Sequence, residues 1–170
     1  MIGLHHRSLH RFNLVVALTA ISTLTSLLPA MAKTAPHAYR APSTTPVELT
    51  AHPGTELDKQ ARALNADLLD DAARHHDQPI ILTGTARLSP RQKETILFVQ
   101  LQSYRLCGSA GCTTSIYRKA GNDWETLLDS VNGTIRITRR YHNGMADLLI
   151  NGNDRWVFDG QHYQDTLNSP

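Results

Sequence analysis

Apolar residues recur along this chain with three different periods, and each period predicts a different element. From Phe12 through Ala32 no charged residue occurs, and Leu14 to Leu18 and Leu24 to Leu28 form an apolar core that Pro29 ends. Arg7 and Arg11 precede this core, and Ala30-Met31-Ala32 follows it with small residues. A positive opening, an apolar run and a small-residue site are the pattern of a secretory signal, here cleaved near Ala32. A retained N-terminal anchor is the alternative, because the uncharged stretch is about long enough to span a bilayer. Thr19, Ser22, Thr23, Thr25 and Ser26 make its centre polar for that role.

Periodicity then vanishes. Residues 33 to 54 scatter Pro36, Pro42, Pro46 and Pro53 among Ala, Ser and Thr. Such composition buries little surface and predicts a flexible linker, extended or mobile. A helical period follows. Thr55 can cap a helix with Glu56 and Asp58 in its first turn, and Leu57, Ala61, Leu64, Leu68 and Ala72 form one apolar stripe. Arg74, His75 and His76 close the last turn and Pro79 stops it.

From residue 80 the period falls to two. Ile80 to Leu82 reads as a first strand and Glu94 to Gln102 as a second. In the latter, Ile96, Phe98 and Gln100 lie on one face and Leu97, Val99 and Leu101 on the other. A strand apolar on both faces belongs near a sheet centre. Thr113 to Arg118, Trp124 to Leu128, Thr134 to Thr138, Met145 to Ile150, Arg155 to Phe158 and a short piece at His162-Tyr163 continue the series. Asn132-Gly133, Asn143-Gly144, Asn151-Gly152 and Asp159-Gly160 between them are hairpin signals. The expected fold is therefore α+β, with one amphipathic helix packed on an antiparallel β-meander sheet. An all-β sandwich or barrel with an accessory helix is the alternative. A single domain over residues 55 to 165 and a disordered tail at 166 to 170 complete the expected organisation.

Charge changes the picture once the leader is set aside. The chain has 17 Lys+Arg against 15 Asp+Glu. Removing Arg7 and Arg11 leaves 15 against 15, so the basic excess belongs to the leader. A nucleic-acid partner is therefore not expected. No second hydrophobic run reaches spanning length, so stable membrane insertion after cleavage is not expected either.

Cys107 and Cys112 both follow the leader, and an oxidising compartment makes them a disulfide pair. Gly108, Ser109, Ala110 and Gly111 between them allow a tight loop. The loop reads first as a structural staple, second as a rigid binding loop. A redox pair lacks the two-residue spacing and a helix N-terminus, and zinc lacks a convincing second ligand pair. His75-His76-Asp77 reads as a solvated helix end, because adjacent helical side chains point about 100 degrees apart. Arg136, Arg139, Arg140, Tyr141 and His142 form the densest basic and aromatic group, a candidate patch for an acidic partner or simply a solubilised edge. Trp124, Trp156 and Phe158 read as core. Asn132-Gly133-Thr134 is formally a glycosylation sequon, but the same residues make a turn. H-E-x-x-H, P-loop and dinucleotide glycine motifs are all missing from the sequence. No catalytic residue, metal ligand or cofactor is assigned.

Residues Leu97 to Tyr163 resemble small, uncharacterised periplasmic proteins of Gram-negative bacteria. The shared features are Cys107-Gly108-x-x-Gly111-Cys112, Gly121-Asn122-x-Trp124, Asp147-Leu148 and Asp159-Gly160-x-x-Tyr163. A weaker likeness is to periplasmic lysozyme inhibitors of the Ivy type. Those pack a helix on an antiparallel sheet and insert a disulfide-closed loop into the lysozyme active site. Their loop carries a histidine and an aspartate where this chain has Gly108, Ser109, Ala110 and Gly111. Together these features lead to an expected function: a periplasmic or secreted, non-enzymatic binding or inhibitory module facing an envelope or secreted protein. An envelope enzyme without a recognisable motif and a purely structural envelope protein are the alternatives. Oligomeric state is left open.

Overall fold

A computed structural model describes residues 43 to 91 and 93 to 167. The expected leader (1 to 32), the first part of the expected linker (33 to 42) and the last three residues of the expected tail lie outside the described residues.

The order is β1 (Thr45–Pro46), α1 (Glu56–Leu64), α2 (Ala66–Arg74), β2 (Ile80–Ala86), β3 (Ile96–Gln102), β4 (Cys107–Gly108), β5 (Gly111–Ala120), β6 (Asp123–Asn132), β7 (Ile135–His142), β8 (Met145–Ile150), β9 (Asp154–Phe158) and β10 (Tyr163–Asp165). These strands make two antiparallel sheets, which corrects the single helix on a single meander expected from the sequence. One sheet runs β2-β3-β5, with β6 on the far side of β5 and the two-residue β4 paired to its start. The other runs β1-β7-β8-β9-β10. The protein is mostly β with two short helices.

The reason lies in β3. It alternates between two separate cores. Leu97, Val99 and Leu101 join Ile81, Tyr117 and Ala61 beneath the helices. Ile96 and Phe98 join Ile116, Leu128, Leu148, Ile150 and Phe158 between the sheets. One helical layer can cover only one of those faces, so the other is buried by the second sheet. The chain turns from sheet to sheet through β6, which carries register shifts against β5 near Thr114, Ile116 and Tyr117. Bulges of this kind bend a strand and increase its twist.

The helical period also breaks. Thr55 caps α1 as expected, accepting from the Asp58 N–H at 3.3 Å. At Asn65 the helix is interrupted, and the Asn65 Nδ2 donates to the Ala61 carbonyl at 2.8 Å. Tyr117 on the sheet donates its hydroxyl to Asn65 Oδ1 at 3.0 Å. This buried polar lock rotates α2 relative to the continuous stripe. Leu69 packs on the core while Leu68, an expected stripe residue, is exposed.

Residues 45 to 50, within the segment expected to be a flexible linker, are hydrogen-bonded into both sheets. Thr45 and Pro46 pair with Ile137 and Arg136 of β7. Val47 N–H then donates to Ile135 O at 3.0 Å, and Thr50 bridges Thr83 of β2 in both directions. The segment is a strap across the open edge of the two sheets. Gly84 admits it, since a Cβ there would collide with the Glu48 carbonyl and Leu49.

Candidate functional site

The β3–β5 connection carries the expected cysteine loop. Cys107 and Cys112 are disulfide-bonded and sit directly opposite each other, as do Gly108 and Gly111. Ser109 and Ala110 form the tip. Gly108, Ser109 and Ala110 are exposed and both cysteines half-buried. At the base, Thr113 donates its N–H and its hydroxyl to the Leu106 carbonyl at 2.9 and 3.0 Å. Tyr104, in the same connection, is 76 % exposed.

The hairpin is held from a second side. Asn151 of the β8–β9 turn donates from Nδ2 to Ala110 O at 3.2 Å and to Asn132 O at 3.3 Å. Its Oδ1 accepts from Thr134 N–H at 3.1 Å. One amide side chain thus joins three turns that are distant in sequence. Close backbone approach makes the joint feasible: a Cβ on Gly111 would lie 2.6 Å from the Gly133 Cα. Gly133 is buried with φ 131°, and a Cβ there would strike the Asn151 amide. Both positions therefore require glycine. Reading Asn132-Gly133 and Asn151-Gly152 as turns was enough to place hairpins, but nothing local revealed that those turns meet.

The basic group Arg136, Arg139, Arg140, Tyr141 and His142 is divided by the structure. Arg136 donates from Nε to Thr44 Oγ1 at 2.7 Å and so fastens the strap. A register shift in β7 between Ile137 and Tyr141 carries Arg139 and Arg140 out to solvent, with Thr138 Oγ1 accepting the Arg140 N–H at 3.0 Å. Tyr141 is exposed beside them. His142 turns instead to Asp147.

Asp147 is the feature that sequence reading missed. It is fully buried, and its two oxygens meet a histidine and an arginine side chain. His142 Nδ1 lies 2.5 Å from Oδ1, and Arg155 Nε lies 3.0 Å from Oδ2. A His–Asp pair invites a general-base reading, which needs a free Nε2 facing a substrate. Here Nε2 lies 3.4 Å from an Arg155 guanidinium nitrogen. The arrangement satisfies both oxygens of a buried carboxyl group. Its only sequence signal was a histidine and an aspartate five positions apart across an Asn-Gly turn.

The aromatic residues do what core residues do. Phe158 stacks at a tilt on Tyr163, 5.6 Å between centroids, and Trp156 packs against the same inter-sheet core. Tyr163 donates to Ala146 O at 2.7 Å. Burial, reinforced by nearby Asp147, pushes its phenol well above the usual range. Trp124 packs beneath the helices with Lys119 Nζ over its ring at 5.1 Å. His75 and His76 end α2: the N–H groups of His75 and Asp77 both donate to the Ala72 carbonyl, and His76 takes φ 56°. Among the described residues no group of three or more metal-binding side chains occurs, and no helix is long and apolar enough to cross a membrane. Comparison of the chain with protein-family models, with curated proteins and with solved structures gave no match.

Proposed function

We propose that the protein is an exported binding module that engages an envelope or secreted protein through the β4–β5 hairpin. The observation that carries this reading is the contrast between base and tip. The base is fixed by the Cys107–Cys112 disulfide and the Asn151 clamp. The tip residues Ser109 and Ala110 are exposed, as is Tyr104 earlier in the same connection. A preorganised loop loses little conformational entropy on binding. Tyrosine supplies large contact area with few rotatable bonds and is enriched among residues that dominate binding energy. The expected leader and the disulfide support work outside the cytoplasm.

The test is capture of partners from an envelope extract, comparing the wild type with Tyr104→Ala, a Ser109→Arg/Ala110→Arg tip variant, and Gly133→Ala. Tyr104→Ala should weaken capture roughly 30-fold, the loss of about 2 kcal/mol expected of an aromatic anchor. The tip variant should also lose capture, and both should keep the wild-type unfolding midpoint. Gly133→Ala should lose both capture and stability, because it breaks the clamp. Unaltered capture by the first two variants would remove the hairpin from the interface.

A further inference from the structure

A second feature is a cavity of about 480 Å³ between the C-terminal end of α2, the start of β2 and residues 51 to 58. Leu69, Ala73, Pro79, Ile80 and Ile81 supply apolar walls, and Asp58, Arg62 and Asp77 supply charge. Asp58 is already satisfied: Oδ2 accepts from Gly54 N–H at 2.9 Å and from Arg62 Nε at 3.1 Å. Asp77 is not. It is only 6 % exposed, and its buried Oδ2 has no hydrogen-bond partner among the described residues.

The capping at this position does not use the carboxylate. The capping work at the end of α2 is done by backbone N–H groups, Asp77's own N–H among them, which donates to Ala72 O at 2.9 Å. An acidic side chain beyond a helix C-terminus also faces the negative end of the helix dipole. A buried, unpaired carboxylate costs stability, and such a group calls for an explanation. Within the cavity, two carboxyl side chains accompany a single guanidinium, and that guanidinium is engaged by Asp58.

We propose that this cavity is a binding site for a small organic cation, an ammonium or guanidinium group on an apolar stem, with Asp77 as its counter-ion. The size falls in the range of small-molecule pockets, and the mixture of apolar wall and one acceptor suits an amphipathic monocation. A hard metal ion would need about six oxygen ligands, which one free carboxylate does not approach.

n-Butylamine and n-pentylamine are the probes, with 1-pentanol as neutral control and Mg2+ as metal control, read by amide chemical shifts over residues 73 to 81. Either amine should bind and shift these resonances, whereas 1-pentanol and Mg2+ should not. Asp77→Asn keeps the shape and removes the charge; it should weaken amine binding roughly tenfold or more while melting no lower than wild type. Ala73→Leu, at an exposed helix position, should block binding with Asp77 intact. No binding by wild-type protein, equal binding by Asp77→Asn, or equal shifts with Mg2+ would overturn the proposal. A lower melting temperature in Asp77→Asn would also overturn it, since that would assign Asp77 a structural partner. None of these outcomes depends on the hairpin.

Discussion

Asp58 shows how much one side chain at a helix entrance can do. The Gly54 N–H, and after it the Arg62 guanidinium, hold its carboxyl below the usual aspartate range, while burial pushes weakly the other way. A carboxyl lowered in the folded state stabilises the fold above its unfolded value, about pH 3.9, and that contribution is lost as pH falls through the folded value. Asp159, exposed at the β9–β10 turn, is lowered in the same direction by the His162 and Gln161 N–H groups. Acid unfolding should therefore steepen below about pH 4. The check is a series of thermal melts between about pH 6 and pH 2, bracketing that aspartate range, for wild type and Asp58→Asn. The variant should start lower and lose less across that window. Parallel curves would show that Asp58 is not a source of the acid sensitivity.

At the scale of elements, the strap is the piece whose role depends most on geometry. It joins β7 of one sheet and β2 of the other, and it crosses β2 where Gly84 leaves room. Gly84→Val should force the strap away and uncover Val47 and Leu49, which pack on the inter-sheet core. The expected cost is about 2–3 kcal/mol, combining overpacking with lost burial. Chemical denaturation measures it, and limited proteolysis should show faster cleavage within residues 43 to 50. A variant as stable and as resistant as wild type would mean that the strap carries no load. The strap was hidden in the sequence because its pairing is backbone to backbone, and Pro46 sits in an edge strand where its missing N–H does no harm. The strands with strict alternation were legible, as β3 shows with Ile96 and Phe98 against Leu97, Val99 and Leu101. The same pattern contained the clue to the second sheet, because both faces were apolar and one helix covers one face. The helix break was less visible: the stripe ran through Asn65, and only Tyr117, fifty-two positions later, makes the break favourable. For the candidate site, the cysteine loop and its tip were legible from spacing, whereas Asn151, Gly133, Asp147 and Tyr104 matter through contacts or exposure that the fold creates.

For the whole molecule, the disulfide is the place where stability can be separated from the recognition proposed above. Cys107 and Cys112 close so short a loop that the chain-entropy contribution is only about 2 kcal/mol, against a total of about 5–15 kcal/mol for an ordinary domain. Neither core depends on it directly: no cysteine belongs to the inter-sheet cluster or to the cluster beneath the helices, and only Leu106 beside the bridge packs on the latter. A Cys107→Ser/Cys112→Ser variant should therefore fold into the same two-sheet structure and melt roughly 6–12 °C lower. Its hairpin would still be tied at Ala110 by Asn151, but the two strand ends would no longer be covalently closed, and the tip would sample more conformations. If the hairpin is the contact surface, partner capture should fall by more than the small loss of folded protein explains, and dissociation should quicken. If the bridge serves only as a staple, capture per folded molecule will match wild type despite the lower melting temperature. Measuring both quantities on the same preparation decides between these roles, because loss of stability alone changes how much protein is folded and leaves each folded molecule's affinity unchanged.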